Sequence, residues 1–222
     1  MPEHDMGQMR KDGGALFRSA QNLWRSTANL SALTRTIYDR IKELQIKDGK
    51  VAVEKINYKD VDEYSNWCRI AQVVQAVVTA NEHGGRGRPR TLGSMTVAIR
   101  LCDFETVEDT SNRRPWDGQA VCLVGWHRRV RGREASEWQA WSLDAGTSET
   151  RDLGNGLWRW DPEADNDWPG YFYVLPLFAL ENEQCINDYI LKPLQTLFPA
   201  AKPAKEAKTA LRGVPVLQPP PA

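Results

Sequence analysis

DVDEYSNWCRIAQVVQAVVTANE, residues 60 to 82, decides how the rest of the chain is stacked. Asp60 with Glu63 three positions on is a capping-box variant, two acidic side chains placed to accept the free N–H groups of a first helical turn. The apolar set behind it (Val61, Tyr64, Trp67, Cys68, Ile70, Ala71, Val73, Val74, Val77, Val78) wraps more than half of a helix circumference. Gly84 then supplies a stop. The stretch therefore reads as a helix, and a helix so apolar belongs at the centre of the domain, against a sheet.

On its N-terminal side, Lys47-Asp48-Gly49-Lys50 reads as a turn and Val51 to Tyr58 as a short strand. From Ala15 to Ile46 the period is helical: Leu16, Leu23, Leu30, Ile37 and Leu44 recur every seven residues. Phe17, Trp24, Leu33, Tyr38 and Ile41 widen the stripe. A coiled-coil partner seam falls at Ser19, Ser26, Leu33 and Arg40, too polar for a long zipper, so packing on the domain is expected. A break near Ser26 to Ser31 divides this region into two helices. Residues 1–13 read as a flexible arm.

On the C-terminal side comes HGGRGRPRTL, residues 83 to 92. Pro89 forces Arg88 out of the α region, and Gly87 adds backbone freedom, so Arg86, Arg88 and Arg90 sit on an extended finger. Arg86-Gly87-Arg88-Pro89 resembles the AT-hook, a short peptide motif. The resemblance covers about five of the 222 residues. It implies an extended segment lying in the narrow, negative minor groove of A·T-rich DNA.

Beyond the finger the period changes to two. Residues 94–103, 119–127, 136–143, 157–160 and 171–178 read as strands, joined most simply as an antiparallel meander. The meander puts the arginine finger at the same sheet end as Arg128, Arg129, Arg131 and Arg133. The acids Asp161, Glu163, Asp165 and Asp167 reach that end too, so a salt-bridge mesh competes there with phosphate binding. Residues 181–198 return as a helix that Pro193 kinks or restarts. From Pro199 the chain holds six prolines, four basic residues and one acid, and residues 199–222 read as a disordered tail. Its VPVLQPPP end also has the form of a polyproline docking motif.

Composition narrows the function. Twenty-nine basic and 29 acidic residues cancel, so anion binding has to come from local clustering. The four cysteines (Cys68, Cys102, Cys122, Cys185) lack zinc or disulfide-scaffold spacing and read as buried thiols of a cytoplasmic protein. The polar start carries no signal peptide, and the longest apolar run, Tyr171 to Leu180, is too short to cross a bilayer. Seven of the nine tryptophans fall between Trp116 and Trp168. Most serve sheet packing, whereas the loop residues Trp116 and Trp168 are candidates for partner contact. Only three histidines (His4, His83, His127) are present, and no nucleophile elbow, Walker loop or zincin motif. The alternating acids 161–167 fail as a calcium loop because Asn166 replaces the turn glycine. No catalytic residue, metal or cofactor is expected.

The expected fold is a single α+β domain, residues 14–198. N-terminal helices and a C-terminal helix pack on a mostly antiparallel sheet of five to six strands. The expected function is a non-catalytic binding or regulatory protein that presents its arginine-rich edge to an anionic partner, nucleic acid first. A protein-interaction factor using exposed Trp and the Pro-rich tail is the alternative. A hydrolase or nuclease with an unrecognised site is a second one. Neither the partner nor the oligomeric state is legible at this level.

Overall fold

The computed structural model describes residues 6–44, 51–60, 71–80, 90–100, 119–129, 150–161 and 169–218. One long helix, α1 (Met6–Lys42), leads into strands β1 (Val51–Asp60), β2 (Ala71–Ala80), β3 (Arg90–Arg100) and β4 (Val121–Arg128). Short strands β5 (Thr150–Asp152) and β6 (Trp158–Trp160) precede β7 (Gly170–Pro176). All seven join one antiparallel sheet in the order β1-β2-β3-β4-β7-β6-β5. The chain closes with a 3₁₀ turn (Leu177–Ala179), α2 (Glu183–Ile186), a π-helical turn (Asn187–Leu191), α3 (Lys192–Leu197) and α4 (Pro203–Ala210). The α+β class with helices at both ends of the sequence is as expected. The last three strands, however, are laid down in reverse rather than continuing the meander.

The deciding stretch is corrected. Ala71–Ala80 is a strand, hydrogen-bonded to β1 on one side and β3 on the other, and Asp60 is the last residue of β1. Val74, Ala76 and Val78 alternate into the core and are fully buried. A short run rich in β-branched residues satisfies helical and strand periods alike; flanking strands on both sides settle it by pairing its backbone along nearly its whole length. Residues 61–70 and the expected strand 136–143 lie outside the described residues.

Helix α1 runs through both the expected arm and the expected break. No proline and no β-branched residue occurs between Met6 and Ser26, so helix formers carry the backbone across Gly7, Gly13 and Gly14. Its second half packs through Leu30, Ile37 and Ile41, with Leu44 just beyond its end, against one sheet face, supplied by β2, β3, β4 and β7. α2, α3 and α4 cover the same face with Ile186, Ile190, Leu194, Leu197, Ala207 and Leu211.

The tail is corrected as well. Six apolar positions after Pro199 carry it onto the domain: Ala207 and Leu211 are buried, and Ala210, Val214, Val216 and Leu217 pack against the core clusters. The Leu217 N–H donates to the Val174 carbonyl at 2.8 Å, extending the free edge of β7 beyond β6. Gly156, with φ +77°, leaves the space that Val216 fills. Small alanines let α4 approach closely, so few side chains suffice where mean composition shows no core former.

Pro193 has a structural consequence beyond the helix itself. It has no N–H, so the Tyr189 carbonyl four residues earlier lacks its helical donor. The buried Tyr173 hydroxyl supplies one at 2.7 Å, directly beside the π-helical turn.

Candidate functional site

The sheet register builds one end of the molecule from connections. Gly93 pairs with Arg128 and Ser94 with His127, and the Arg129 N–H donates to the Leu92 carbonyl at 2.8 Å. Ala80 faces Arg90, and Val51 faces Ala80. Across β7, His127 aligns with Gly170 and Gly170 with Trp160, which pairs with Thr150. The connections 81–89, 129–149 and 161–169 therefore all join strands at this one end. The β4–β5 connection leaves and returns at the same end because β5 lies on the far edge.

Gly93 holds this end together. A Cβ there would collide with the His127 carbonyl oxygen, so only glycine lets β3 and β4 approach beside Arg128. Arg128 is half-buried, and its Nη1 donates to the Ala200 carbonyl at 2.7 Å, just past the C-terminus of α3, where helix carbonyls favour a cation. Arg129 is exposed. Arg90 opens β3 at the same end. Arg86, Arg88, Arg131 and Arg133 lie outside the described residues, on segments joined to these two strand ends, as do Trp116 and Trp168. Of the acids, Asp161 is taken by Arg159 of its own strand, at 2.6 and 2.7 Å from Nη2 and Nε. Glu163, Asp165 and Asp167 lie outside the described residues.

The second sheet face carries a different chemistry. Alternation puts Thr96, Arg100 and His127 on it, all buried, beside a cluster of Ala98, Val121, Leu123, Trp158, Phe172 and Val174. Trp158 stacks on Phe172 with centroids 6.4 Å apart, and Trp160 meets the His127 ring edge-on at 5.7 Å. Trp158 and Trp160 thus share one face, as their spacing requires, and serve packing. Trp126 lies on the opposite face, stacked on Tyr171 at 5.6 Å. His127, the one histidine among the described residues, is an aromatic-packed core residue.

A third region was not legible in the sequence. At the opposite sheet end, beside Ala120 before β4 and Leu177 after β7, an open groove of about 700 Å³ runs between α1 and the β7–α2 connection. Leu30, Leu33, Leu177, Phe178 and Leu180 give it an apolar lining, and Phe178 is 84% exposed. The sequence assigns Phe178 to a strand end, where nothing signals exposure.

Cys122 and Cys185 are free thiols, and burial pushes the Cys122 thiol up to about 12. Among the described residues no three His, Cys, Asp or Glu side chains gather where they could hold a metal. None of the described helices is long and apolar enough to cross a membrane. Compared with known proteins, the chain matches no family model, and no curated protein or solved structure resembles it at a significant level.

Proposed function

We propose that this chain is a non-catalytic cytoplasmic binding protein whose connection-built sheet end engages a polyanion, nucleic acid first. The observation that supports this reading is the β3–β4 register, which pairs Gly93 with Arg128 and so brings the strand ends that carry Arg90, Arg128 and Arg129 to one end of the sheet. The segments bearing Arg86, Arg88, Arg131 and Arg133 depart from these same strand ends. Guanidinium groups gathered at that end would repel one another, and a phosphate backbone would relieve that repulsion while releasing counterions. Asp161 is engaged by Arg159, which takes one of the four nearby acids out of competition. The free Cys122 and Cys185 thiols suit a reducing compartment.

The test is equilibrium binding to duplex DNA and to RNA over a salt series. Arg86→Ala with Arg88→Ala is expected to weaken binding by about 1–3 kcal/mol and to flatten the salt dependence. A preference for A·T-rich duplex marks minor-groove reading, whereas equal affinity for all sequences marks phosphate contact alone. Wild-type protein that binds neither nucleic acid at moderate salt overturns the reading.

A further inference from the structure

We infer that the apolar groove at the other end of the sheet receives the N-terminal half of α1 from a second copy of this chain, forming a two-fold dimer. The inference is independent of the arginine end. Helix α1 is 37 residues long, and among its side chains whose burial is described the first buried one is Leu30. The preceding 24 residues make about 36 Å of helix. Ala15, Leu16, Phe17, Arg18, Gln21, Asn22, Arg25 and Ser26 are all exposed on this stretch. Leu16 and Phe17 stand out at 73% and 63% exposure, each a large apolar surface left in water by its own chain.

The groove is matched to that stretch in position, chemistry and charge. It is lined from α1 by residues between Ser26 and Thr36, so it begins where that stretch ends. Two α1 helices crossing antiparallel near residue 24 bring Leu16 and Phe17 of each copy opposite Leu30, Leu33 and Phe178 of the other. The same contact then forms twice, as an isologous interface requires. The stretch carries Arg10, Lys11, Arg18 and Arg25 against Asp12 alone. Among the described residues the groove is lined by Glu181 and Glu183 and by no basic residue. Glu183 is held by Arg40, which leaves Glu181 to meet the incoming charge.

Sedimentation equilibrium of the full chain tests this. A species of twice the 25.2 kDa chain mass is expected at micromolar concentration. Leu16→Asp with Phe17→Asp is expected to raise its dissociation constant about a hundredfold, and Phe178→Asp to do so from the groove side. These positions are exposed, so thermal midpoints of the diluted monomers should match, which separates lost association from lost folding. Arg18→Glu and Glu181→Lys chains should each dimerise more weakly. Mixed, they should recover a heterodimer, because one interface has both charges exchanged and the other is native. A wild-type chain that stays monomeric overturns the inference, as does a dimer indifferent to both the helix and the groove substitutions. A monomer that instead co-sediments with phosphatidylserine vesicles through Leu16 and Phe17 also overturns it, in favour of a lipid surface.

Discussion

The two ends of the sheet differ in what they leave for a partner. One is polar and made of connections, with arginines at the mouth of the β3–β4 pair. The other carries an apolar groove between α1 and the β7–α2 connection, near the exposed Leu16 and Phe17 of α1. The core lies between α1, the C-terminal helices and the sheet, and the groove shares Leu30, Leu177 and Leu180 with it. The difference teaches that the core lies in the middle of this molecule, and that both proposed contact surfaces lie at its ends. Substitutions should separate accordingly.

The largest expected effect comes from deleting the chain after Phe198. Truncation removes buried Ala207 and Leu211 and the Leu217–Val174 hydrogen bond, and exposes the β7 edge. A loss of about 3–5 kcal/mol in urea unfolding is expected. A midpoint unchanged by truncation returns this segment to the status of a tail and assigns it to neither region.

Gly93→Ala should come next. The methyl group has only backbone to displace, so the β3–β4 pairing opens beside Arg128, at a cost of about 3 kcal/mol. Gly154, with φ +81° and open space around it, is the control: Gly154→Ala should cost only about 1 kcal/mol from the left-handed backbone. Equal losses at the two sites would mean that the close approach at the arginine end is not specific.

Alkaline pH probes the middle. An unfolded thiol ionises near 9.0, but the buried Cys122 thiol keeps its proton until about 12. The unfolded chain therefore binds fewer protons across this window, and stability falls as pH rises from about 9 to 12. Burial raises the neighbouring Tyr173 well above its ordinary value, with Cys122 adding to the effect, and this acts in the same direction. Chemical denaturation against pH should show the decline, and Cys122→Ala should make it shallower. A flat profile through pH 11 contradicts the buried pair.

Tyr173→Phe is expected to be the smallest of these perturbations. It leaves the Tyr189 carbonyl without the donor that Pro193 withholds, at about 1–2 kcal/mol. Tyr173→Phe with Pro193→Ala restores a helical N–H and should recover part of that loss. Thermal unfolding of the two variants measures the difference.

Much of the middle was legible. Period-two alternation located β3, β4, β6 and β7, and the inward set Ile186, Ile190, Leu194 and Leu197 located the C-terminal helix. β2 was not, because Val73, Val74, Val77 and Val78 suit either period and only the pairing with β1 and β3 distinguishes them. α4 escaped for the opposite reason: its core contacts are alanines, which carry almost no hydrophobic signal until a neighbour is in place. At the arginine end, antiparallel connectivity brought the start of β3 to the β4 terminus, where Gly93 pairs with Arg128, while the finger itself lies outside the described residues. The groove could not be read, because exposure of Phe178 is a property of the assembled surface and not of its neighbours in sequence.

The most direct measurement of the polyanion reading is hydrogen–deuterium exchange of the full chain with and without a short A·T-rich duplex at low salt. Protection is predicted at residues 84–93 and 128–133, with no change over residues 14–30 of α1. Protection confined to α1, or none at any arginine-bearing segment while the duplex is bound, would contradict the assignment of the arginine end as the binding surface.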